Sequence, residues 1–183
     1  MGYPFRSRLE PDPAGDVAVI QMKDIDVANL VRGEEAIRVT LPRGKSHHLL
    51  RPGDLLFRSR GQSNGAAQVS EGIGAAVVSA PILRIRPHSV LSEYLCWFLN
   101  SSLAQSQLAA VAVGTSVRMI SAEALKDLEI PLPTERVQRR IAEAAALAER
   151  ERSLTARIGS ERHRLTTHLL TRHARRTSRK ATS

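Results

Sequence analysis

The sequence predicts an α+β protein: a compact, curled, mostly antiparallel β-sheet domain with short helices, followed by a long C-terminal α-helix. Three observations carry this. Between Gly15 and Arg86, short apolar runs recur with Gly- and Pro-rich breaks between them. From Leu91 the apolar spacing changes from two to three and four. From Thr134 some 40 residues run with no proline and one glycine, Gly159.

The segments follow in order. LEPDPAGD is a loose entry rich in turn formers, and GDVAVIQMKDI reads as a first strand. AIRVTL (36–41) is a second strand and HHLL a short third. In RPGDLLFRSR, a Pro-Gly-Asp turn opens a fourth strand over 55–60, anchored by Leu55, Leu56 and Phe57. AAQVS (66–70) and AAVVSA (75–80) follow across glycine-rich breaks. ILRIR (82–86) alternates, with Ile82, Arg84 and Arg86 on one face. Close turns between strands this short favour a curled antiparallel sheet.

Leu91, Tyr94, Leu95, Phe98 and Leu99 then define a helix with Ser92 as its cap, and LAQSQLAAVAV a second one stopped by Gly114. SAEALKDL is a short helix capped at Ser121, and EIPLP is extended. A continuous helix from Thr134 would be about 60 Å long. Leu147, Leu154, Ile158, Leu165 and Leu169 are spaced 7, 4, 7 and 4 along it, an 11-residue repeat that favours nearly straight or slightly right-handed pairing. With Val137 and Ile141 they form a narrow apolar stripe that needs another helix. The expected organisation is 1–133 for recognition, 134–172 for pairing and docking, and a basic disordered tail over 173–183.

Charge is unevenly placed. The net formal charge is +9, and residues 36–118 hold nine Lys/Arg against three Asp/Glu, while 162–183 hold seven against none. A GC-rich genome could account for arginine outnumbering lysine, but not for the clustering. Two basic zones favour a polyanionic partner. Aromatics make up only 3% of the chain, too few for a stacking platform for single strands. The one cysteine, Cys96, lies in the apolar run EYLCWFL and reads as a buried small residue. No run reaches the length of a membrane span and the start carries no signal-peptide pattern, so a cytoplasmic protein is expected.

Catalytic patterns are missing. No phosphate-binding glycine loop is found. His47 and His48 are adjacent and would point to opposite faces of a strand, so they are poor joint ligands. Asp54 and Glu71 flank the basic loop as conceivable metal ligands of a nuclease, although Asp54 after Pro-Gly is better read as a turn residue. What the sequence offers is a recognition surface of Arg43, Lys45, Arg58, Arg60, Gln62, Asn64 and Arg118, in loops or at strand ends. Arginine and lysine read guanine, glutamine and asparagine read adenine, and any of them can hold phosphate. Arg58 and Arg60 are expected to emerge together at a strand end, ahead of the adaptable loop GQSNG.

The order VIQMKDI … LRPGDLLFRSRG … ILRIRP … EYLCWFLNS … GTSVRMISAEALKDLEIPLPTERVQRRIAE resembles the specificity subunit of type I restriction–modification systems, over about residues 15–170 and most closely over 114–141. That resemblance implies a non-catalytic subunit whose recognition domains each read half of a bipartite site in double-stranded DNA. It implies helices that act as a ruler and bind methyltransferase subunits, which modify adenine at N6. S-adenosylmethionine, ATP and Mg would belong to partner subunits, including a restriction subunit where one joins, with no cofactor in this chain. The family's pattern has two recognition domains and two helical regions, whereas this sequence has one of each. It therefore resembles a half-subunit, to be paired as a homodimer or with a second half. A non-catalytic scaffold, a metal-dependent nuclease and a fragment from a decayed locus remain alternatives.

Overall fold

The computed structural model describes residues 10–26, 28–41, 44–61, 64–114 and 118–180, with backbone alone for 175–180. Two units are distinguished, one ending at Arg140 and one beginning at Ile141.

In the first unit, β1 (Val17–Ile20), β2 (Ile37–Val39) and β6 (Ala76–Val78) make one three-stranded sheet, in the order β2-β1-β6. β1 and β2 are antiparallel, and β1 and β6 are parallel. β5 (Ala66–Gln68), β3 (Leu55–Arg58) and β7 (Ile82–Ile85) make an antiparallel sheet in the order β5-β3-β7. β4 (Arg60–Gly61) pairs with β8 (Arg118–Met119) in a small ribbon. Helices α1 (Ser92–Leu99), α2 (Ser102–Val111) and α3 (Ala122–Lys126) complete the unit. The α+β class and the prevalence of antiparallel pairing agree with the sequence.

Burial explains why LLF reads as an unbroken apolar run. Leu56 packs into one cluster with Ile20, Val69, Val78 and Ile82. Leu55 and Phe57 pack into another with Leu95, Leu99, Leu108 and Ile120. Alternate residues of Leu55–Phe57 thus serve two cores, so none of these three positions is left for a polar side chain. The strand enters from the turn Arg51-Pro52-Gly53-Asp54, closed by Asp54 N–H donating to the Arg51 carbonyl at 3.0 Å. Gly53 takes φ 84°, the conformation that glycine supplies at the third position of a Pro-Gly turn.

Several expectations are corrected. HHLL forms no strand: Ser46–His48 is a 3₁₀ turn. The Arg84 guanidinium donates to the carbonyls of His47 (3.0 Å) and Leu49 (3.2 Å), so side chains take the acceptors a ladder would use. LLFRSR is broken at Ser59, and its end joins a different sheet. Ser92 is not a cap: Leu91 occupies that position, and its N–H donates to Gln138 Oε1 at 3.0 Å. α2 ends at Val111, three residues ahead of Gly114. Ser121 does cap α3, accepting from Ala124 N–H at 3.0 Å.

The second unit is helix. α4 runs over Glu135–Lys180, its first turns belonging to the first unit. It continues past residue 172, where a disordered tail was expected. The segment after Gly159 contains neither glycine nor proline up to Lys180, and its Arg, Lys and Ala are strong helix formers. Exposed ion pairs Arg152–Glu149 and Arg164–Glu161 lie one turn apart, with the acid toward the N-terminus, the orientation that adds a few tenths of a kcal/mol each.

Candidate nucleic-acid interface

The expected recognition residues divide sharply. Arg43 and Gln62 lie outside the described residues. Lys45, Arg60 and Arg118 are exposed. Arg58 and Asn64 are buried, at 8% and 7% exposure.

Arg58 therefore does not emerge, which corrects the expectation for it. It is the last residue of a strand that runs between two cores, and its guanidinium stays inside. Nη2 donates to Asn29 Oδ1 and Nη1 to the Asp26 carbonyl at 3.4 Å, while Nε has no partner. Burial lowers the Arg58 pKa, and the charge of Asp26 partly opposes this. Asn29 sits at φ 59°, a conformation that asparagine tolerates better than most residues. Its Nδ2 donates to Asn100 Oδ1 at 3.3 Å. Asn100 in turn mimics a strand partner for Ala66: Oδ1 accepts from Ala66 N–H (3.0 Å) and Nδ2 donates to the Ala66 carbonyl (2.8 Å).

Gly65 lies at the centre of this knot. A Cβ there would stand 2.6 Å from Asn29 Oδ1 and 3.0 Å from Arg58 Nη2, so no larger residue fits without displacing them. Asn64 is also part of the brace. Its Nδ2 donates to the Arg58 carbonyl at 2.9 Å, and its own carbonyl accepts from Gln105 Nε2 at 2.9 Å. Its amide is spent on backbone and is not presented to solvent.

Asp26 organises the other wall. Oδ1 accepts from Ala28 N–H and Leu30 N–H at 2.9 Å each, and Oδ2 from the Arg32 guanidinium. Burial alone would raise its pKa. The hydrogen bonds from Leu30, Arg32 and Ala28, together with the charge of Arg32, outweigh burial and hold it below the ordinary value. The polar residues that brace the loop ends, Asp26, Asn29 and Asn100, were not singled out in the sequence. Isolated asparagines in VANL and FLNSS carry no periodic signal, and only the fold brings them to Gly65.

Asp54 is structural. Its carboxylate takes a bidentate contact from Arg86 (2.7 and 2.6 Å) and a further bond from Arg51 N–H. Leu55 is opposite Ile85 in the ladder, so Asp54 and Arg86 lock the next step of the same register. Asp54 raises the Arg86 pKa, chiefly through these hydrogen bonds. Both carboxylate oxygens are already engaged, which leaves the nuclease alternative with Asp54 and Glu71 without its first ligand. No cluster of three potential metal ligands occurs among the described residues. Burial pushes the Cys96 thiol up to about 11, in keeping with a packing role.

At the start of α4, Gln138 is buried and joins two elements. Its Oε1 accepts from Leu91 N–H at 3.0 Å, and its Nε2 donates to the Pro133 carbonyl at 2.9 Å. Val137 is partly exposed and Ile141 half-buried. Along the rest of α4, Leu147, Leu154, Ile158, Leu165 and Leu169 are 48–69% exposed. Leu170, absent from the 11-residue stripe, is 66% exposed. No helix among the described residues is long and apolar enough to cross a membrane.

Solved structures bear out the resemblance to type I restriction–modification specificity subunits at the level of the fold, a small α+β unit followed by a long helix. A structure of a type I restriction–modification system, determined for its complex assembly and conformational transition, matches with a TM-score of 0.58 and 22% identity. The HsdS subunit from Thermoanaerobacter tengcongensis matches with a TM-score of 0.54 and 23% identity. Each match covers 75% of this chain and 37% of the other, so the chain spans little more than a third of the length of these neighbours. No family model and no curated protein matches the sequence.

Proposed function

We propose that this chain is a specificity subunit of a type I restriction–modification complex, reading one half of a bipartite site in double-stranded DNA. The observation that carries the reading is the specificity-subunit fold over three quarters of the chain. The chain itself is non-catalytic and needs no cofactor. It directs a partner N6-adenine methyltransferase, and a restriction subunit where one is present, with S-adenosylmethionine, ATP and Mg bound by those partners. Exposed Lys45, Arg60 and Arg118 are cations of the kind that phosphate and guanine require.

The exposed stripe of α4 pairs with the helix of another copy or of a second half-subunit. Five large aliphatic side chains at 11-residue spacing, all exposed, support this. The test is the methylome of the host with and without the gene. Loss of one N6-methyladenine motif on deletion is expected, palindromic for a self-paired dimer and asymmetric for a hetero-pair. Ile158→Glu with Leu165→Glu should abolish the same motif and convert a dimer to a monomer by light scattering. An unchanged methylome together with a strictly monomeric wild type overturns the proposal.

A further inference from the structure

Arg60, Met119 and Val113 form a single row across a β-ribbon. Arg60 is directly opposite Met119 in the β4–β8 pair, and Met119 is bridged on its other side to Val113. Directly opposed residues project to the same face. Met119 spends both backbone groups on Val113, at 2.9 and 3.1 Å, while Ile120 N–H turns the other way to the Ser59 carbonyl at 2.8 Å. Arg60 and Met119 are therefore a non-hydrogen-bonded pair, the closer-spaced kind. On the opposite face, Ser59 and Ile120 are buried, and Arg118, opposite Gly61, is exposed.

The outward row is unusual for a surface. Val113 is 70% exposed and Met119 50%, beside an exposed Arg60 that makes no hydrogen bond or ion pair among the described residues. A cation flanked by two bare apolar side chains is poor at holding phosphate alone. It is suited to base edges: a guanidinium takes the O6 and N7 acceptors of guanine, and apolar groups take the methyl of thymine. The two strands and the bridged segment at Val113, each about 4.8 Å from the next, make a row about 10 Å wide, and the major groove is about 12 Å wide. The excess of nine Lys/Arg over three Asp/Glu in residues 36–118 favours a nucleic-acid occupant over an apolar protein surface.

We propose that this row is a specificity-determining reader of the major groove, Arg60 contacting a guanine and Met119 with Val113 an adjacent thymine methyl, while Arg118 on the other face holds phosphate. This rests on the DNA-recognition reading above. The test is selection from a randomised duplex library by the full-length chain, followed by affinity measurements on the selected site. Arg60→Ala is expected to lose preference at one G·C pair by roughly 5- to 150-fold, and Arg60→Lys to lose most of that preference while keeping non-specific affinity. Replacing the contacted thymine by uracil should weaken wild type about 3-fold and leave Met119→Ala with Val113→Ala unaffected. Arg118→Ala should weaken all sequences alike and reduce the salt slope by about one.

If wild type selects a site and the Arg60 and Met119/Val113 variants select the same one with equal discrimination, the row is overturned and DNA recognition stands. If wild type enriches no sequence, the DNA reading falls and the row with it. Circular dichroism of each variant separates either result from misfolding.

Discussion

The end of β3 and the start of β4 are separated by Ser59 alone, and the two arginines on either side have opposite surroundings. Arg58 is 8% exposed and held by Asn29 and the Asp26 carbonyl. Arg60 is exposed on a two-stranded ribbon beside Met119. The same residue type therefore does two jobs. One guanidinium is held inside the protein, where it braces the loop ends, and the other is exposed and open to the external ligand proposed above. A specific recognition surface needs both, because base contacts placed on an unbraced loop would have to pay its ordering entropy on binding.

Substitution should separate the two sites cleanly. Arg58→Ala is expected to destabilise the protein by about 3 kcal/mol, since it strands Asn29 Oδ1 and leaves a cavity in a buried network. That corresponds to a fall in Tm of roughly 6–12 °C in a thermal melt. Arg60→Ala should stay within about 0.5 kcal/mol of wild type in the same measurement, as for most surface sites. Equal losses would erase the distinction.

Gly65→Ala comes next. Its Cβ would approach Asn29 Oδ1 at 2.6 Å, and relieving that overlap should cost about 2 kcal/mol, read as a shift of the denaturant midpoint at constant m.

The smallest effect concerns Asp26. Its folded pKa lies below the unfolded one, so its contribution to stability is present above the unfolded value and is lost as pH falls through the folded pKa. Stability measured from pH 7 down to pH 3 should decline less steeply in Asp26→Asn than in wild type. An identical acid limb would show that the 26–32 turn does not depend on the carboxylate.

Much of this was legible in the sequence wherever one interaction dominates. The apolar run at 55–57, the Ser121 cap and the long helix each follow from burial pattern or local hydrogen bonding. What was not legible depends on partners distant in sequence. Arg58 looks like a strand-end cation until Asn29, 29 residues earlier, is brought against it. HHLL has the composition of a strand, and its carbonyls are claimed by Arg84 from β7. The helix continues beyond residue 172 for another reason: Arg, Lys and Ala are strong helix formers even in a segment whose charge composition reads as disorder. Of the expected recognition residues, Arg60, Arg118 and Lys45 were readable as exposed cations, but the Arg60–Met119–Val113 row depends on strand register and could not be read from residue type.

The position of β3 between two apolar clusters also bears on how the first unit opens. Leu56 belongs to one cluster and Leu55 and Phe57 to the other, so neither core can loosen without the strand the other needs. The two halves of the unit are thus a single cooperative block. The amide hydrogens of Leu55, Leu56 and Phe57 should exchange with deuterium only through global unfolding, at one common free energy, while those of the Arg60–Gly61 ribbon exchange through local opening.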